Sequence, residues 1–211
     1  MKKNITVVTL LLIATSTFAQ VKIGVKGGWN YASAKAVYSD VKQSTSFING
    51  MGIGITAKVP FDGVLNFSPS VMVNKRGFIV KPTSGVNSKE QYSITYVDLI
   101  PAFSVFFPKN NNSFAISLGP DFGFTNFGKL KYTDSSGTTS KKIKFGYGSI
   151  GWFDIGLNAS ISYHTKKIFI EAGYLYGLSS INNNEEFDQR NIRNRVFSLS
   201  IGYFFKQTAA Q

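Results

Sequence analysis

The sequence predicts an all-β protein, an eight-stranded antiparallel up-and-down transmembrane β-barrel, and three observations carry that expectation. Apolar residues alternate with small or polar ones in eight separate stretches, the period-two mark of a strand with two unlike faces. Each stretch runs for roughly 10–15 residues, whereas soluble strands average about 5–6 and a tilted membrane strand takes about 9–11. The connections alternate between tight turns (60–63, 108–112, 165–167) and long polar loops (34–46, 79–91, 128–146, 179–193). Short turns on one side of a membrane and long loops on the other are the asymmetry of a spanning barrel.

Taken in order, the first strand sets Val21, Ile23, Val25, Gly27, Trp29 and Tyr31 against Lys22, Gly24, Lys26, Gly28 and Asn30. The second sets Phe47, Met51, Ile53, Ile55 and Val59 against Gly50, Gly52, Gly54, Thr56 and Lys58. In the third, Leu65, Phe67, Val71 and Val73 oppose Asn66, Ser68, Ser70 and Asn74. In the fourth, Val97, Leu99, Phe103, Val105 and Phe107 oppose Asp98, Ala102 and Ser104. The fifth places Phe114, Ile116, Leu118, Phe122 and Phe124 opposite Ser113, Ser117, Gly119, Asp121 and Thr125. The sixth places Phe153, Ile155, Leu157, Ile161 and Tyr163 opposite Asp154, Gly156, Asn158, Ser160 and Ser162. Ile168, Ile170, Ala172, Tyr174 and Tyr176 oppose Glu171 and Gly173 in the seventh. In the eighth, Phe197, Leu199, Ile201, Tyr203 and Phe205 oppose Ser198, Ser200 and Gly202.

Backbone groups in hydrocarbon need internal partners, which a closed sheet supplies. The apolar face is therefore expected to meet lipid, and the face rich in glycine, serine and charge to fill the concave interior. Aromatics near the strand ends support this as interfacial girdles: Trp29, Tyr31, Phe47, Tyr147 and Tyr176 toward the loops, Phe61, Phe107, Tyr163, Tyr203 and Phe205 toward the turns. A soluble up-and-down barrel inverts the two faces, and alternation alone does not say which face is inward. Strand length and the aromatic ends favour the membrane form.

On the inward face, Lys22, Lys26 and Lys58 lie across the barrel from Asp98, Asp121, Asp154 and Glu171. Unpaired charge in so narrow a space is costly, and an eight-stranded barrel is wide enough only for its side chains. These seven residues are expected to form a space-filling charge network; a carboxylate-lined proton or ion path is the alternative. The loop 128–146 carries Lys129, Lys131, Lys141, Lys142 and Lys144 against Asp134 alone. This is either a solvated surface or a contact for lipopolysaccharide phosphates. His164 is the single histidine. It sits beside a turn, where a solvated side chain is expected, and Ser162 is about 6–7 Å along the same face, so a Ser–His catalytic pair is not expected. The sequence points to no enzyme, cofactor or metal site.

The first residues indicate export. Lys2 and Lys3 precede the apolar stretch Ile5 to Ala14, and Thr17-Phe18-Ala19 puts small residues at the −3 and −1 positions. That is the layout of a signal peptide over 1–19, cleaved before Gln20, leaving 20–211 as the barrel domain. With no cysteine in the chain, neither a lipid-modified cysteine nor a disulfide framework is possible. The net charge of +12 suits lipid phosphate or anionic polysaccharide in an exported protein, and no nucleic-acid motif accompanies it.

Several segments resemble a known family. Tyr96-Val97-Asp98-Leu99-Ile100-Pro101, Gly119-Pro120 and Asp154-Ile155-Gly156-Leu157 are similar to landmarks of the PorT-like outer-membrane β-barrel family common in Bacteroidota. Glu171-Ala172-Gly173-Tyr174-Leu175-Tyr176-Gly177-Leu178 resembles its Glu-x-x-Tyr-x-x-Gly-Leu strand, and Asn194 to Phe205 its last strand. In that family the last strand commonly ends the chain, whereas here Lys206 to Gln211 follow. The resemblance implies the fold and place of an integral outer-membrane barrel, not its task; the role expected is non-enzymatic, structural or loop-presenting, with a pore or secretion-assembly component as the alternative and a lipid-modifying barrel enzyme as the remote one. Outer-membrane lipid and envelope or secretion-system proteins are the partners it implies.

Overall fold

Alternating side chains commit the chain to strands, and the register closes them into a ring. The computed structural model describes residues 21–81, 88–184 and 188–205. The expected signal peptide, Glu185, Glu186 and the tail after Phe205 lie outside them. The strands are β1 (Lys22–Tyr38), β2 (Val41–Lys42), β3 (Ser44–Asp62), β4 (Leu65–Lys81), β5 (Lys89–Lys109), β6 (Asn112–Asp134), β7 (Gly137–Lys142), β8 (Ser149–Ile150), β9 (Phe153–His164), β10 (Ile168–Gly177), β11 (Asn182–Asn183) and β12 (Asn191–Phe204). Eight of them pair antiparallel in the order β1-β3-β4-β5-β6-β9-β10-β12, and β12 returns to β1 from Gly24↔Phe204 to Val37↔Asn191. Closure leaves the long strands without a free edge. The turns are tight where expected: Asp62 pairs with Leu65, and Lys109 with Asn112. Gly63 and Asn110 take the left-handed φ values of 51° and 56° that such turns require.

The predicted faces hold over the middle of the wall. Ile23, Val25, Met51, Ile53, Leu99, Ile116, Leu118, Ile161, Ile170, Leu199 and Ile201 all project outward and exposed, while Asn30, Asn66, Ser70, Asp98, Ser104, Asp121, Asp154, Ser160 and Ser162 are buried inside. Met51 and Ile53 are 69% and 68% exposed. A band of such side chains around a closed sheet is stable only against hydrocarbon.

Toward the loop end the same strands keep their register and reverse their polarity. On β5 every even position from Tyr92 to Phe106 is buried, yet Tyr92, Ile94 and Tyr96 are inward where the lower part of the strand has Asp98 and Ser104. On β12, Ile192 and Val196 point inward, and Phe197, Leu199 and Ile201 point outward. Ala34, Ala36, Phe78, Val80, Tyr92, Ile94, Tyr96 and Ile192 pack together inside. The upper wall is thus built like a soluble barrel, apolar within and polar without, and the lower wall like a membrane barrel.

This corrects two expectations. The eight ring strands are 10 to 23 residues long, because hydrogen-bonded pairing continues through the polar segments 34–46 and 128–146 that read as loops. The interior is also not uniformly polar. β9 and β10, with 12 and 10 residues, leave the wall low on one side. The connections flanking them fold across that gap, where β8 pairs with β11 and inserts Ile150 and Ile181 into the apolar cap. At the turn end a second seal forms. Phe106, His164, Phe169 and Phe204 stack inside the barrel, with successive centroids 4.9, 5.1 and 5.0 Å apart.

Candidate functional site

Between cap and floor lies a layer of charge centred on Arg76, which β4 carries inward two positions beyond Asn74. Its Nη2 donates to Asp98 Oδ2 at 2.6 Å and to Asp121 Oδ2 at 3.1 Å, so one guanidinium ties β4 to β5 and β6. Asn74 Nδ2 donates to Asp98 Oδ2 at 2.6 Å, and Asn74 Oδ1 accepts from Asn30 Nδ2 at 3.0 Å, extending the network to β1. Asp154 on β9 accepts Asn194 Nδ2 at 2.8 Å and the Ser179 hydroxyl at 2.8 Å, and Asn194 Nδ2 also reaches Tyr96 Oη at 3.2 Å. Gly123 lies in register with both Asp98 and Asp154. A Cβ there would sit 3.0 Å from Asp98 Oδ1 and 3.1 Å from the Tyr96 ring, so the missing side chain is what lets these groups converge.

The seven charged residues expected in one network are divided. Asp98, Asp121 and Asp154 share the middle layer, but their cation is Arg76, not a lysine. Lys26 pairs with Glu171 one level down, at 2.7 Å. Lys58 lies over the Phe106 ring, 3.2 Å from its centroid, and Lys22, its partner in register, is exposed. Arg76 escaped notice because it falls between Asn74, where the clean alternation ends, and the polar stretch read as a loop from 79. The signal that could have found it is parity: position 76 continues the inward series 66, 70, 74.

Two internal cavities flank this layer, of about 40 Å³ beside Arg76, Asp121, Lys26 and Glu171, and about 30 Å³ among Ser68, Ser104, Ser117, Ser160, Ser162 and His164. Each has room for a few water molecules. His164 is buried, contrary to the solvated position expected, and its Nε2 is 2.8 Å from Ser162 Oγ. A local rotation of the side chains closes the expected 6–7 Å gap. The pair nonetheless sits within the aromatic floor, against a cavity too small for an acyl chain or sugar.

The five loop lysines are also divided. β6 and β7 form a hairpin in which Lys129 pairs with Lys142, Leu130 with Lys141 and Lys131 with Ser140. Lys129, Lys131 and Lys142 share the outward face, while Lys141 shares the opposite one with Leu130, which packs against the cap. All five, Lys144 included, are exposed.

A ring of eight long strands, greasy outside at mid-height and filled with polar groups within, is the architecture that one family model describes. The model for the outer membrane protein beta-barrel domain matches residues 18–183. The chain belongs to that family. This outer-membrane barrel is therefore located in the outer membrane, with its short turns and both strand ends β1 and β12 on the periplasmic side. The match stops short of β12, the strand that closes the ring. Among solved structures, the barrel is similar to Ail, the attachment invasion locus protein of Yersinia pestis, in complex with the heparin analogue sucrose octasulfate: 16% identity, 88% of this chain and 99% of that one, TM-score 0.43. It is similar to Neisserial surface protein A at 14% identity, over 87% of this chain and 97% of that one, TM-score 0.43. OprG from Pseudomonas aeruginosa is 11% identical over 88% and 96%, TM-score 0.42. No curated protein sequence matches the chain.

Proposed function

We propose that this outer-membrane barrel is a closed, non-enzymatic envelope protein that acts through its outer wall and its extracellular hairpin. The observation that carries this reading is the sealing of the lumen at three successive levels: the apolar cap around Ile150 and Ile181, the Arg76 layer, and the Phe106–His164–Phe169–Phe204 floor. Ions crossing it would have to break the buried Arg76 pairs, and the cavities on either side of that layer are small, about 30 and 40 Å³. Enzymatic work needs a nucleophile and base that a substrate can reach, and the Ser162–His164 pair is walled in.

The outward lysines of the β6–β7 hairpin supply the surface chemistry, a cationic patch suited to the phosphates and sulfates of envelope glycolipid or polysaccharide. The chain reaches the envelope by a signal peptide cleaved after Ala19, which intact mass measurement of the purified barrel tests directly: a mature chain beginning at Gln20 is expected. Planar-bilayer recording tests the closed lumen, with no stable unitary current expected; steady openings would overturn the reading.

A place in a larger envelope assembly, including the secretion role that the PorT-like motifs imply, is the second reading. It is favoured by exposed Tyr38, Val41 and Tyr147 on the extracellular rim, Tyr147 being 89% exposed. In-cell crosslinking through residue 147 should then capture a defined envelope protein.

A further inference from the structure

The outer wall of the barrel carries a two-part groove. Its lower part is apolar, about 800 Å³, and runs past Gly27, Trp29, Met51, Ile53 and Val73 to Lys75. The groove is deepened at Gly27, which lies on the lipid-facing side of β1 and has no side chain to fill it. Its upper part, about 530 Å³, begins at the same Lys75 and Thr95, where Phe127, Ile143 and Phe145 continue the apolar wall and Ser93, Lys129 and Lys142 add the polar groups.

Register brings these residues together. Lys75 pairs with Thr95 and Thr95 with Phe127; one step higher, Ser93 pairs with Lys129 and Lys129 with Lys142. From Lys75 on β4 to Lys142 on β7 is three strand spacings, about 14 Å across the sheet, a span that extended lysine side chains can close on one anion, with two hydroxyls and the Asn126 amide between them. No carboxylate lines either part among the described residues. The exposed aromatics Phe124 and Trp152 sit just below, and Phe127 lies level with Lys75 in the groove's own lining, which sets the cationic part at headgroup height.

We propose that this groove is a binding site for a lipid of the outer leaflet whose headgroup carries a phosphomonoester, with the phosphate held by Lys75, Lys129 and Lys142 and one acyl chain lying along the Gly27 groove. An apolar groove continuous with a carboxylate-free lysine cluster at the membrane interface matches that chemistry in both halves. A soluble polyanion would leave the apolar half unused. The inference deepens the cationic-hairpin reading and rests on it, but it adds Lys75, which is not in the hairpin, and excludes Lys141, which is.

The chain has two tryptophans, so a Trp152→Phe background leaves Trp29 as a reporter inside the groove. The folded barrel in phosphatidylcholine nanodiscs is titrated with phosphatidic acid carrying brominated acyl chains, with brominated phosphatidylcholine as the comparison. Selective quenching of Trp29 by the phosphatidic acid is expected. Each of Lys75→Gln, Lys129→Gln and Lys142→Gln should weaken it about fivefold, whereas Lys141→Gln should change it less than about twofold. Gly27→Leu should abolish it. The barrel tolerates a side chain at 27, since a Cβ meets nothing closer than Gly52 O at 3.4 Å, and a heat-modifiable band on a gel verifies the fold of each variant. Equal losses from Lys141→Gln and Lys142→Gln would overturn the site while leaving a general hairpin attraction standing. No loss from any lysine variant would overturn both. Quenching as strong with phosphatidylcholine, or displacement by inorganic phosphate alone, would also overturn the lipid site.

Discussion

Removing the Arg76 guanidinium would leave Asp98 and Asp121 buried near each other without the cation they share. Arg76 and both carboxylates are almost wholly buried, at side-chain exposures of 4%, 0% and 1%. Breaking a buried pair from one side costs about 3–5 kcal/mol, because an uncompensated charge stays behind. Arg76→Met should therefore lower the stability of the folded barrel by that amount, read as the urea midpoint in micelles. Adding Asp98→Asn to it should recover part of the loss, since one of the stranded charges is then gone; a double variant as unstable as the sum of the two singles would contradict the pairing.

Tyr92, above the lipid band, makes a second prediction at this scale. Burial, and then the neighbouring Glu90 carboxylate, push its phenol up to about 12 from the ordinary 10. Arg190 bridges the same carboxylate and Asp188, at 2.9 and 2.7 Å. A raised phenol favours the folded state while it is protonated. Its contribution is therefore complete below pH 10 and is lost as pH rises through about 12, in total about 2–3 kcal/mol. Tyr92→Phe should remove the fall in stability between those pH values, and tyrosinate absorbance should show one fewer late-titrating phenol.

At the scale of the element, the informative feature is a single extra residue. Tyr96 pairs with Thr125 but Thr95 pairs with Phe127, so Asn126 is a bulge on β6. Below it the odd positions Asp121 and Gly123 face inward; above it Leu130 does, and Lys129 and Lys131 face out. The same break explains how far the sequence could be read. Strict alternation identified all eight ring strands and their lower faces, because there a fixed phase of period two separates lipid from lumen. It ended β6 near Thr125 and read a loop beyond, because the bulge shifts the phase and the polarity of the wall reverses at nearly the same height. The cap was illegible for the second of these reasons: Ile94 and Ile192 look like lipid-facing residues until their strand's parity is followed past the reversal.

Deleting Asn126 should slip the upper half of β6 by one residue and exchange its faces. In the cysteine-free chain, a membrane-impermeant maleimide should label Lys131→Cys and spare Leu130→Cys. With Asn126 deleted, the order should reverse or the hairpin should lose its pairing and label at both positions; an unchanged pattern would show that the bulge does not set the face.

Across the whole molecule, one continuous sheet serves two solvents, and that arrangement places the seals in series. The aromatic floor closes the periplasmic end, the Arg76 layer the middle and the apolar cap the extracellular end. Opening one should admit solvent only as far as the next. Ser104, inward on β5 and 2.7 Å from Ser117 across the serine-lined cavity, lies just above the floor. Ala34 lies in the cap, beyond the Arg76 layer. In the otherwise native barrel, Ser104→Cys should be inert to small charged thiosulfonates. Truncating the floor with Phe106→Ala, Phe169→Ala and Phe204→Ala together should make it reactive, leave Ala34→Cys inert in parallel, and still give no unitary current in a planar bilayer. Reaction at both positions after removal of the floor alone would mean that the charge layer is permeable, and a carboxylate-lined ion path would then replace the closed lumen as the function of Asp98, Asp121 and Asp154.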